Sequence, residues 1–199
     1  MPPFRLPLLP TLVVGAAVTV MIALGIWQLG RAEWKNDLIA RYGEAQALGG
    51  AVPWPRTAQA VETALYRPSA VICDRVLDMR ATAGRSASGR SGWAHMARCA
   101  LDGGGEAEIA LGWSQEPRQP LWNGGPATGV VAPSGGAADG GEARLVAIPA
   151  LAGLEQLARP DPSDLPNNHL SYAVQWFFFA ATALAVYVLA LRRKRTEPK

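Results

Sequence analysis

Few of the residue types from which catalytic and metal centres are built occur in this chain. Its 199 residues hold two cysteines, Cys73 and Cys99, and two histidines, His95 and His169. There is no Gly-x-Ser-x-Gly elbow, no phosphate-cradling glycine loop, no His-Glu-x-x-His helix and no well-placed Ser/Lys pair. Those absences exclude the familiar nucleophilic, nucleotide-binding and zinc-hydrolase signatures, and the chain is expected not to be an enzyme. A basic surface is lacking too. The net charge of +3 comes from the C-terminal tail, because the segment from Arg31 to His169 holds 13 basic and 15 acidic residues, a net charge near −2. Nucleic acid is therefore not an expected partner. The acids Asp74, Asp78, Asp102, Glu106 and Glu108 fall on strand or turn positions and read as a solvated face.

Charge of either sign is missing altogether from two runs, Leu6–Gly30 and Leu170–Leu191. About 20 apolar residues in a helix cross a hydrocarbon core, so both runs predict transmembrane helices. The first is too long for a signal-peptide core and ends in Gly25-Ile26-Trp27-Gln28-Leu29 rather than a small-x-small cleavage site. No Arg- and Ser-rich presequence precedes it, which points to a bacterial protein. Arg192, Arg193, Lys194, Arg195 and Lys199 follow the second run and mark that end as cytoplasmic. Two crossings then put both termini in the cytoplasm of a multi-pass inner-membrane protein. The expected organisation is a cytoplasmic tail 1–7, helix 8–29, a periplasmic α+β domain 30–168, helix 169–191 and a basic tail 192–199.

The outer segment changes texture along its length. Trp34, Leu38, Ile39 and Tyr42 recur at helical spacing until Gly49, Gly50, Pro53 and Pro55 interrupt. A short helix is expected near Ala58–Leu65. From Tyr66 the pattern is β: Ala70–Cys73 running to Val76–Met79, a polar tip at Gly84–Gly92, a return over Trp93–Leu101, a turn at Asp102–Gly105 and a third strand at Ala107–Trp113. Thr128–Ala132 lies as a strand within the Gly/Pro/Ala-rich stretch Gly124–Gly141, and Arg144–Ile148 as another. Leu151, Leu154 and Leu157 predict a short helix over Pro149–Arg159. The fold class expected is a small antiparallel sheet with one or two helices between the membrane segments.

Chemistry concentrates where the two apolar helices meet water. Trp27, Arg31 and Trp34 share one face of the first by their spacing, and His169, Tyr172 and Trp176 one face of the second. Interfacial Trp and Tyr need no special explanation. His169, Gln28 and Gln175 do, because polar groups at the edge of hydrocarbon are costly. If the helices pack together, the two patches form one aromatic-lined pocket holding an imidazole and a guanidinium. Such a pair suits a haem, iron on imidazole and propionate on arginine, and it equally suits a hydrogen-bonded structural histidine.

Residues Trp27-Gln28-Leu29, Arg31, Trp34-Lys35 and Asn167-Asn168-His169-Leu170, Tyr172-Ala173, Trp176-Phe177 closely resemble the signature ends of the Surfeit locus protein 1 family. Tyr66-Arg67 and Leu111-Gly112-Trp113 resemble its central strands. The resemblance implies a cytochrome c oxidase assembly factor that assists haem a delivery to the catalytic subunit. It further implies haem a as a transient cofactor, His169 as the iron ligand, and Trp27, Gln28, Arg31, Tyr172 and Trp176 around it. Partners would be the oxidase catalytic subunit, haem a synthase and membrane lipid. The alternative is a non-haem structural chaperone. A membrane sensor is disfavoured, since the tails leave too little chain for a signalling output.

Cys73 and Cys99 are spaced evenly about Ser86, near the expected hairpin tip, and would lie in an oxidising compartment. A disulfide is expected, with a loop-entropy contribution on the order of 3 kcal/mol. A metal site using both cysteines and His95 would lack a fourth ligand.

Overall fold

The computed structural model describes residues 7–134 and 142–196. The expected tails 1–7 and 192–199, and the Gly-rich stretch 124–141, fall partly outside these residues. The chain divides into two compact units, residues 1–38 with 166–199, and residues 39–165.

The first unit pairs the N-terminal part of α1 (Leu8–Leu48) with α3 (His169–Thr196). Both are long and apolar enough to cross a membrane, and only 6% of each apolar window is buried. That low burial separates them from the core helices of soluble proteins. Leu12, Val13, Phe178 and Val186 are exposed. Where the helices touch, the residues are small: Gly25, Ala173 and Ala180 are buried. A Cβ on Gly25 would stand 2.7 Å from the Phe177 ring. Close approach through small residues is the packing mode that suits helices crossing a membrane, where no hydrophobic drive acts between them.

Helix α1 continues unbroken from its apolar run to Leu48, as the periodicity of Trp34 to Tyr42 predicts, and stops before Gly49 at φ +62°. In the second unit α2 (Ala58–Ala64) is capped by Thr57, whose hydroxyl accepts from the Ala60 amide. Five strands follow: β1 (Pro68–Arg85), β2 (Ser91–Leu101), β3 (Glu106–Ser114), β4 (Gly125–Pro133) and β5 (Ala143–Ala147). They form a closed barrel in the order β1-β2-β3-β5-β4. The expectation of a wholly antiparallel sheet is corrected here. β3 and β5 pair in parallel through Glu108–Arg144, Ile109–Leu145 and Ala110–Val146, because β4 takes the place between β5 and β1.

Closure depends on β1. Its first residues, Pro68–Cys73, pair with β4, and Cys73–Arg85 with β2. Register shifts at Asp74 and Leu77 insert two extra residues, and bulges of this kind bend a strand and increase its twist. β4 meets β5 closely, since a Cβ on Gly129 would lie 2.0 Å from the Val146 carbonyl oxygen. Inside lie Val71, Ala97, Leu101, Ile109, Leu111 and Leu145, with Met96, Trp113, Val146 and Leu157 grouped nearby.

The expected helix over Pro149–Arg159 does not form. Its backbone instead bonds to the barrel: Leu151 N–H to Leu111 O, Trp113 N–H to Glu155 O, and Glu155 N–H to Trp113 O. Ala152 and Gly153 both have positive φ, which no α-helix accommodates. The leucine spacing did mark an inward side, since Leu151 and Leu154 pack on the core.

Candidate functional site

The adjoining ends of α1 and α3 are held together by polar side chains in an otherwise apolar seam. Before α3 begins, the Asn167 amide donates to Ala32 O at 3.2 Å and to Asn36 Oδ1 at 2.8 Å. Asn167 Oδ1 is buried with no partner among the described residues. One turn along α1 from Ala32, Gln28 Oε1 lies 2.7 Å from His169 Nδ1. His169 is the first residue of α3 and half-buried, and its Nε2 has no hydrogen bond among the described residues.

The aromatic residues of the two segments differ in exposure. Trp27 is 56% exposed and Tyr172 50%, so neither is committed to the protein interior. Trp176 is half-buried with its ring edge-on to Phe179, centroids 6.3 Å apart. Arg31 stacks on Trp34 at 4.4 Å and makes no ion pair among the described residues, and Lys35 Nζ lies 6.0 Å from the same ring. The structure thus brings together two of the expected site residues, His169 and Gln28, by a direct side-chain contact. Asn167 was legible in its motif, yet only the fold shows it as the clamp between the segments.

In the barrel, the remaining candidates have structural partners. Cys73 and Cys99 form a disulfide with Cα atoms 5.4 Å apart, which takes both thiolates away from the metal alternative. The hairpin is centred on Ser88, not Ser86; the two bulges in β1 bring Cys73 opposite Leu101 and Cys99 opposite Val76, diagonal to one another. His95 is 1% exposed, its Nε2–H donating to Ser114 Oγ at 2.7 Å, while that hydroxyl donates to Glu116 O. Burial pushes the His95 imidazole below its ordinary pKa. Its Nδ1 is buried without a partner among the described residues. No group of three or more His, Cys, Asp or Glu side chains suited to a metal ion occurs among the described residues.

The central motif residues also serve the fold. Tyr66 holds φ +63°, packs at 5.1 Å on Tyr42, and has its hydroxyl pushed up to about 12 by burial and then by the neighbouring Tyr42, Asp164 and Asp161 charges. Arg67 donates to Gly50 O. Trp113, 1% exposed, lies beneath the Arg90 guanidinium at 4.6 Å.

Comparison with curated proteins finds no match. A family model described as the SURF1 family matches residues 15–181, from within α1 to within α3 and through the whole barrel. With most of its length so matched and both signature ends placed at one seam, the chain belongs to the SURF1 family, the cytochrome oxidase assembly family.

Proposed function

We propose that this chain handles haem a during oxidase assembly, anchored in a bacterial inner membrane by α1 and α3. In this reading both termini are cytoplasmic and the barrel lies on the outer side. The observation that carries it is the state of His169: one ring nitrogen is held by Gln28 and the other has no hydrogen bond among the described residues, at the half-buried first position of α3, with Trp27 next to Gln28 in sequence and Tyr172 one turn along α3, both exposed. Imidazole nitrogen is a common protein ligand of haem iron. Arg31, without a carboxylate partner among the described residues, has donors for a propionate. Trp27, Tyr172 and Trp176 supply apolar surface for the macrocycle. Haem a is the cargo, haem a synthase its source and the oxidase catalytic subunit its destination.

A second reading has the same hydrogen bond in its favour. An imidazole bonded to Gln28 is also what a purely structural histidine between two helices would look like, in a chaperone that holds an oxidase intermediate without touching haem. The spectrum of protein purified from cells that make haem a separates the two. Haem handling predicts a Soret band that His169→Ala removes while the protein remains inserted and folded. Arg31→Ala should weaken binding less, because an interfacial charge pair is partly screened. Undiminished haem binding in His169→Ala would leave the chaperone reading as the better one.

A further inference from the structure

We infer that Gln28 is the positioning residue for His169, committing its imidazole to the Nδ1–H tautomer and so leaving the lone pair on Nε2. Both ring nitrogens of a neutral imidazole cannot carry the proton, and a hydrogen bond to one decides the state of the other. Gln28 Oε1 is an acceptor only, and it lies 2.7 Å from Nδ1, so Nδ1 must be the donor. Gln28 Oε1 has no other hydrogen bond among the described residues.

The arrangement is rigid from both sides. Gln28 is an interior residue of α1, with its backbone committed to helical hydrogen bonds. His169 follows two residues after Asn167, whose amide grips α1 at Ala32 and Asn36. The Asn167 clamp and the Gln28 contact are one turn apart on α1, so the clamp sets the register in which His169 meets Gln28. An amide oxygen left without a donor within a run free of charge from Leu6 to Gly30 is unfavourable. Gln28 therefore has a physical reason to keep this partner. Outer partners of this kind orient ligating histidines in metal sites generally, and their loss typically weakens binding 10–100-fold.

Use of Nε2 as an iron ligand rests on the proposed function; the tautomer does not, so the two can fail separately. The test uses the full-length protein in lipid nanodiscs with 15N-labelled histidine. Long-range proton–nitrogen correlation spectra distinguish Nδ1–H from Nε2–H rings, and His169→Ala identifies which of the two histidine signals is which. His95 should appear as Nε2–H and His169 as Nδ1–H. Gln28→Leu should lose the single Nδ1–H signature at His169, and Gln28→Glu, which keeps an acceptor, should retain it. Titration of the same proteins with ferric haem should show Gln28→Leu weakened 10–100-fold and Gln28→Glu within about threefold of wild type. An Nε2–H signal for His169 in the wild type, or an unchanged Nδ1–H signal in Gln28→Leu, overturns the inference. A correct tautomer pattern combined with full haem binding by His169→Ala would instead overturn the haem reading alone.

Discussion

Reducing the Cys73–Cys99 bond should remove a large share of the barrel's stability. The cysteines are 26 residues apart, and the chain-entropy relation for a closed loop of that size gives about 3.5 kcal/mol. Reduction is a cleaner perturbation than mutation here, since both side chains are almost completely buried and truncating them would add a cavity cost. Burial has a second consequence. With Cys73 2% and Cys99 0% exposed, a reductant reaches the sulfurs only when the barrel opens. Dithiothreitol should therefore act slowly on the folded protein and quickly in denaturant. The two compact units call for a local probe, and since the chain has seven tryptophans the probe is hydrogen exchange at one backbone amide, that of Trp113, which is 1% exposed and donates to Glu155 O, followed as denaturant is added. Denaturation followed at Trp113 should show reduced protein less stable by roughly 2–4 kcal/mol. A difference below about 1 kcal/mol would refute the loop-closure account. Rapid reduction under native conditions would refute the burial account.

The pH dependence of the barrel should carry the mark of His95. Its folded pKa is lowered, so its contribution is intact above the unfolded value of about 6.5 and is lost as pH falls below it, at up to about 1.4 kcal/mol per pH unit until the folded pKa is passed. Denaturation at pH 7.5 and 5.5 should differ in wild type and much less in His95→Gln; equal slopes would reject His95 as the cause. Gly129→Ala should weaken the barrel by about 1–3 kcal/mol through its collision with the Val146 carbonyl, and a neutral result in the same Trp113 assay would show that the β4–β5 approach relaxes easily. For topology, an alkaline phosphatase fusion near Gly136 should be active and one after Lys199 inactive; the reverse pattern would invert the proposed orientation.

The two long terminal helices were legible in the sequence because helices long and apolar enough to cross a membrane are marked by length and by the absence of charge, both local properties. The run from Leu6 to Gly30 and the run from Leu170 to Leu191 need no tertiary information to be recognised. Most strands were legible for a similar reason, since turns such as Asp102–Gly105 punctuate them locally. Leu151, Leu154 and Leu157 show the limit of that method: spacing reported which side faces inward, while the backbone partner, β3 rather than the segment's own preceding turn, lies about 40 residues away in the chain. Barrel closure through the bend in β1 and the diagonal meeting of Cys73 with Cys99 depend on two bulges that no composition signals, and the parallel pairing of β3 with β5 depends on β4 taking the place between β5 and β1. At the site, sequence supplied the imidazole, the arginine and the aromatic rings. Only the tertiary structure decided that His169 faces Gln28, because that pairing joins two residues 141 apart in sequence and is set by how their helices are brought into register, and by the Asn167 clamp that holds them there.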